Sequence, residues 1–259
     1  MSWAIRRQII GALIILAALG AGIFAYVHPR VTVAPTCFDL EMNGNEDGVD
    51  CGGTCINFCS SQISTPTILW TRPFAVTDSV HTVMAMIENR NSAGQIALPY
   101  EFRLYDEKGV FVARAQGTAI IPPAGRYAIV ETGIQTGKAT VVSAAIEFGK
   151  TTTPWKRIAP EIEKLRVSTS DISLQSDGTI PRLFAKLSNN SSTVTLRNIS
   201  TAAVLYDTNG NAVAGSKTFT SSLAPLSSRD VVFTWPRPIP VPVVRYEIIP
   251  VVDVFSTTI

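Results

Sequence analysis

The feature that most restricts this chain is a motif that occurs twice. "LYDEKG" (Leu104–Gly109) returns as "LYDTNG" (Leu205–Gly210), roughly one hundred residues later, and its surroundings return with it. Upstream, "MAMIENRN" parallels "LFAKLSNN". Downstream, "IIPPAGRYAIV" parallels "SLAPLSSRDVVF", "VVSAAIEF" (Val141–Phe148) parallels "VPVVRYEI" (Val241–Ile248), and Trp155 falls opposite Phe255. Matches in the same order at a nearly constant offset mean that one domain was duplicated. The unit itself reads as strands. Tyr100, Phe102 and Leu104 alternate with Glu101, Arg103 and Tyr105, giving one apolar and one mostly polar face. Short strand-like runs with turn signals every 8–12 residues, in a unit of about 90–100 residues, predict an immunoglobulin-like β-sandwich. The expected fold is mainly β, with two sandwiches in tandem over residues 63–156 and 157–259.

Local chemistry assigns roles within the motif. Phe102 and Leu104 enter the core, Tyr105 packs beside the hairpin, and Asp106 accepts backbone N–H bonds in the turn. Gly109 supplies the positive φ that the hairpin needs. Phe102-Arg103-Leu104-Tyr105-Asp106 is a literal Phe-x-Leu-Tyr-Asp sequence, and the first repeat resembles the FxLYD family of small extracytoplasmic sandwich modules. The second repeat departs from the motif at Ala203, so its assignment rests on the duplication. The resemblance implies a fold and a compartment, and it brings no catalytic residues.

Residues 8–27, "QIIGALIILAALGAGIFAYV", carry no charge. As a helix, twenty residues reach about 30 Å, the thickness of a bilayer's hydrocarbon core. Arg6 and Arg7 precede the run, which favours a cytoplasmic N-terminus. The run is longer than a signal peptide's apolar region, and "FAYVHPR" makes a poor cleavage site. Residues 1–30 are therefore expected to form a tail and an uncleaved signal anchor. The chain is then a single-pass protein of the cell membrane with everything beyond Arg30 extracytoplasmic.

All four cysteines, Cys37, Cys51, Cys55 and Cys59, lie in residues 31–62. Outside the cytoplasm such a cluster forms disulfides, and four cysteines allow three pairings. The spacing lacks the two close pairs that a zinc site uses. Asp39, Asn43, Asn45, Glu46 and Asp50, with Asp47 beside them, are hard oxygen ligands in a glycine-rich loop, which suits calcium although the spacing is not that of an EF-hand. The other reading is a polar loop whose Asx and glycine residues make turns. "NGNEDGVDCGGTC" resembles a short extracellular module, Asn-Gly-x-Glu-x-x-x-Asp-Cys-Gly-Gly-x-Cys, which again points to a compartment rather than an activity.

The joint between the repeats contains Pro154 and Pro160, so the sandwiches are expected to form a semi-rigid rod. Its expected contact surfaces are exposed strand edges and the membrane-distal loops of the second sandwich, near Asp207–Asn211 or its opposite pole. "WPRPIPVPVV" (Trp235–Val244) cannot be a central strand and suggests polyproline II or a sheet edge. The net charge is +2 with no basic stripe, so nucleic acid is not an expected partner. The two histidines offer little: His28 abuts the span, and His81, with Asp78 near it, has no marked nucleophile. No cofactor apart from calcium is expected, and no enzymatic activity. The expected role is structural or protein-binding, with envelope or surface proteins as partners. The alternative is a ligand-binding receptor or an accessory subunit of a secretion or pilus machine.

Overall fold

The computed structural model describes residues 3–31, 36–163, 165–176 and 180–257. It separates into two compact units, Met1–Gly53 and Thr54–Ile259. The first begins with one long helix, α1 (Trp3–Val31), whose segment Ile5–Tyr26 is apolar and long enough to cross a membrane. No acidic residue sits in its first turn, and none of its membrane-length window is buried.

Among the described residues of the second unit, the regular structure is strand apart from one helical turn, α2 (Pro160–Glu163), and a 3-10 turn at Ser60–Gln62. It starts before the first full strand. Residues 56–58 run antiparallel to the short strand β7 (Lys156–Arg157), with Phe58 N–H bonded to Trp155 O at 2.8 Å and Arg157 N–H to Ile56 O at 2.7 Å. The first sandwich pairs two antiparallel sheets. One has the order β1 (Thr67–Ala75), β2 (Val80–Asn89), β5 (Gly125–Gln135). The other has the order β4 (Phe111–Ile121), β3 (Ala93–Asp106), β6 (Val141–Phe148). Val83, Ala85 and Ile87 of β2 meet Leu98, Tyr100, Phe102 and Leu104 of β3 across the core, as strand alternation demands. Phe102 and Leu104 are fully buried.

The second sandwich repeats the plan. One sheet has the order β12 (Ser228–Thr234), β9 (Arg182–Asn189), β8 (Val167–Gln175), and the other β11 (Ala212–Leu223), β10 (Leu196–Tyr206), β13 (Arg245–Val251). Leu183, Ala185 and Leu187 oppose Ile199, Ala203 and Leu205 in its core. The duplication reaches individual atoms. Buried Asn89 donates to the carbonyls of Ala93 and Pro122 and accepts from Asn91 N–H; buried Asn189 donates to those of Val194, Leu223 and Ala224 and accepts from Ser191 N–H. The bend that follows in each copy carries a non-glycine residue at positive φ, Ala124 at 37° and Leu226 at 51°, with its amide bonded to Asn91 O or Ser191 O.

A third core joins the copies. On the face of β2 opposite Val83 and Ala85, Met84 and Met86 pack with Phe74 and Val130 against Ala202, Val204, Tyr206, Ala212 and Ile249 of the second sandwich. Every one of these residues is buried. Six of them are large aliphatic, sulfur-bearing or phenyl side chains worth about 1.5–3 kcal/mol each when buried, on the order of 10 kcal/mol together. Gly215 of β11 makes room for the contact, since a Cβ there would stand 2.7 Å from Met84 Cε and 2.8 Å from a Phe74 ring carbon. Polar contacts rim it: Arg72 to Asn211 Oδ1 at 3.0 Å, Lys217 Nζ to Val130 O at 2.6 Å, and Arg237 to Asp78 at 2.9 Å.

This core corrects the expected rod. The prolines at the joint limit the linker, but side-to-side burial decides the arrangement, and the sandwiches lie sheet against sheet. The Asp207–Asn211 turn consequently sits beside Arg72 rather than at a free pole. Two sequence matches also shift. Glu101 pairs with Glu147 where Ala202 pairs with Ile249, so β6 aligns two residues further along than "VPVVRYEI" suggests. Trp155 packs on its own sandwich core, whereas Phe255 lies over Gly94 of the other sandwich. Residues 235–244 form no strand but cross from β12 to β13, with Trp235, Ile239 and Val243 on the second core.

Two outcomes test this architecture. Met86→Lys with Val204→Arg places at the third core the residue types that Lys186 and Arg103 hold at the equivalent outward positions. The chain from residue 31 should then expand in small-angle scattering, and an unchanged profile would contradict the third core. Asn89→Ala should lower stability by about 2–4 kcal/mol, because it strands two buried carbonyls, and urea unfolding reads this directly.

Candidate functional site

Three places carry concentrated chemistry. The first is the loop 36–53. All four cysteines of the chain are disulfide-bonded. Four of the loop's five carboxylates accept hydrogen bonds from its own amides, and the fifth, Glu41, is exposed. Asp39 accepts from Thr36 N–H, Glu41 N–H and Asn43 Nδ2, each at 3.1 Å. Asp50 accepts from Asp39 N–H at 2.9 Å and Leu40 N–H at 3.1 Å. Glu46 accepts from Asn43 N–H and Asp50 N–H at 3.3 Å, and Asp47 accepts from Gly53 N–H at 2.6 Å. The structure therefore brings Asp39, Asn43, Glu46 and Asp50 together, while Asn45 is exposed. Asn43 Oδ1 is buried and accepts no hydrogen bond. The bonds from Asn43 and from the Thr36 and Glu41 amides hold the Asp39 carboxyl below the ordinary carboxylate range. That stabilisation is present above the ordinary aspartate pKa and is lost as pH falls below it.

The loop closes so tightly that its glycines are obligatory. Gly53 has φ 51°, and a Cβ there would fall 1.5 Å from Asn45 O; Gly52 has φ 77°, and a Cβ there would meet the Asp47 carboxylate at 2.5 Å. Gly53→Ala should therefore keep the loop from closing. Alkylation without reductant, silent in the wild type, should then label at least two cysteines, and a silent variant would contradict this geometry.

The second place is the pair of motif turns. Asp106 Oδ1 accepts from Lys108 N–H at 2.9 Å and Val110 N–H at 2.8 Å, and Asp207 Oδ1 accepts from Asn209 N–H at 2.9 Å and Asn211 N–H at 2.8 Å. Gly109 and Gly210 hold φ of 75° and 77°. Tyr105 packs edge-on against Phe111, and Tyr206 lies under the Arg245 guanidinium, 3.6 Å from the ring centroid. The motif's aspartate is thus a turn cap in both copies.

The third place holds the buried polar groups. His81, in β2, is buried with Nδ1 3.0 Å from Thr136 Oγ1, and Asp78 pairs with Arg237 instead. Burial lowers the His81 pKa from its ordinary value near 6.5. A base whose pKa is depressed on folding stabilises the fold above its unfolded value, and that contribution is lost as pH falls. The first sandwich should accordingly weaken below about pH 6.5, and His81→Gln should remove this dependence in pH-resolved thermal melts. Tyr100, which sequence reading treated only as a core residue, donates its hydroxyl to Glu131, and burial with that carboxylate pushes its pKa far above the ordinary phenol range. In the second copy these positions are Thr201 and Phe233, so a tyrosine–glutamate pair has become a small polar residue beside a large apolar one. A cleft of about 230 Å³ runs between the sandwiches, lined by Tyr100, Tyr127, Lys217 and Phe219 among others.

No protein-family model and no curated protein matches the chain. Among solved structures, a beta-glucuronidase from glycoside hydrolase family 2 is similar at 8% identity and a TM-score of 0.24, covering 88% of this chain and 28% of that one. A mutant of Bacillus subtilis oxalate decarboxylase OxdC is similar at 9% identity and a TM-score of 0.10, covering 80% of this chain and 79% of that one. The chain thus spans little more than a quarter of the glucuronidase, and likenesses this weak bear on neither fold nor activity. Together the observations describe a mainly β chain with tandem sandwiches, disulfides, and one apolar helix of membrane-spanning length.

Proposed function

We propose that this is a single-pass protein of the cell envelope whose fused sandwiches stand outside the cytoplasm and bind another envelope or surface protein without catalysis. The observation that carries the reading is one chain holding both an unburied apolar helix, Ile5–Tyr26, and four disulfide-bonded cysteines. Disulfides persist in oxidising compartments, and Arg6 and Arg7 favour the cytoplasmic side for the helix start. The first sandwich is read as an FxLYD-type module, supported by the buried Phe102 and Leu104 and the capping Asp106. Its hairpin tip, where Val110 and Phe111 are exposed, is the contact surface we favour. Protease added to cells stripped of their wall should digest the chain beyond about Arg30. Crosslinking in membranes should join it to a protein whose yield falls with Phe111→Ser. Recovery of a soluble species beginning after Val27 would overturn the anchor, and hydrolytic turnover by residues 31–259 would overturn the non-catalytic reading.

Calcium in the loop 36–53 is a second reading, supported by Asn43 Oδ1, an unsatisfied oxygen bonded through its own amide to Asp39. Extracellular modules hold calcium with dissociation constants of about 10⁻⁴–10⁻³ M, so calorimetry should register heat at millimolar calcium. Silence at roughly ten times the weaker figure would retire this reading.

A further inference from the structure

The loop 36–53 turns four large apolar side chains to water and ties four of its five carboxylates to its own amides, leaving Glu41 exposed between Leu40 and Met42. Phe38, Leu40, Met42 and Val49 are 73%, 82%, 63% and 54% exposed. Of the acids interleaved with them, Asp39, Glu46, Asp47 and Asp50 accept hydrogen bonds from the loop's own amides, while Glu41 is exposed. Leu40 is held at φ 65° with its amide on the Asp50 carboxylate. A leucine keeps that backbone conformation only where its surroundings impose it, so its outward display is built into the loop. Four large apolar side chains turned to water within one short tied segment mark a contact surface.

We infer that this face seats in the interfacial layer of the bilayer that α1 crosses, an inference that rests on the membrane-anchor reading. The chain itself names the occupant. Phe38 follows Tyr26, the last residue of the apolar span, by twelve residues, which even fully extended reach about 40 Å. A tether that short keeps the bilayer at high effective concentration for the patch. The loop contains no lysine or arginine, so anionic headgroups offer it no attraction, and burial of Phe38, Leu40, Met42 and Val49 among uncharged or zwitterionic headgroups is the driving force.

The test uses the full chain in phosphatidylcholine vesicles with a calcium chelator present. A nitroxide is attached at one introduced cysteine at a time, Leu40→Cys, Leu16→Cys within the span, or the exposed Asn45→Cys, with the native disulfides left closed. Oxygen partitions into lipid and a nickel chelate into water, so the two relaxation agents report depth. The Leu40 label should be open to oxygen and shielded from nickel, between the Leu16 and Asn45 values, and Phe38→Ser should move it towards Asn45. Met42→Cys serves as a second site should Leu40→Cys disturb the disulfides. Nickel access equal to that at Asn45, or shielding from both agents as under a protein cover, would overturn the inference. If Leu16 is also open to nickel, the anchor reading fails with it; if Leu16 is lipid-exposed and Leu40 and Met42 are not, the docking inference alone fails.

Discussion

Two strands buried on both faces hold the larger unit together. In β2, Val83, Ala85 and Ile87 face one core while Met84 and Met86 face another; in β10, Ala203 and Leu205 do the same against Ala202, Val204 and Tyr206. A strand in an isolated sandwich has one wet face. Here the wet face of each copy has been made apolar and closed on the other. Because the copies are covalently linked, their association carries little of the translational cost that separate proteins face, so the burial counts almost fully towards fusion.

The duplication explains where the stack stops. The faces that meet are not equivalent: the first copy offers its β1–β2–β5 sheet and the second its β11–β10–β13 sheet. Such a head-to-tail contact would propagate indefinitely if both copies kept both faces apolar. They do not. At the positions matching Ala202 and Val204 the first copy has Glu101 and Arg103, tied into a surface network with Arg114, Gln116 and Glu147. At the position matching Met86 the second copy has Lys186, paired with Asp171 at 2.5 Å. Exposed pairs of this kind contribute little stability, so their effect is to keep the two end faces wet.

Much of this was legible in the sequence, for definite reasons. The repeated turn chemistry betrayed the duplication, because aspartate caps and positive-φ glycines are local requirements that sequence states openly. The alternation in β3 gave the core-facing Phe102 and Leu104. Alternation alone does not predict the third core, although its signal is present. "VMAMI" and "AAVLY" are unbroken apolar runs, which read as strands covered on both sides, but a period-two reading uses only every second residue. Which of the loop's carboxylates bond its own amides is also hidden from sequence. Composition shows acids and hydrophobes in one loop and does not say which faces water; Gly52, Gly53 and the left-handed Leu40 decide that by closing the loop around its own amides.

If the third core makes two sandwiches one cooperative body, scanning calorimetry on residues 31–259 will register it. A body of about two hundred residues should unfold with an enthalpy near 140 kcal/mol at about 60 °C, with the van't Hoff and calorimetric values equal in a single transition. Two transitions, or one whose van't Hoff enthalpy is only about half the calorimetric value, would mean that the sandwiches unfold independently and would contradict it.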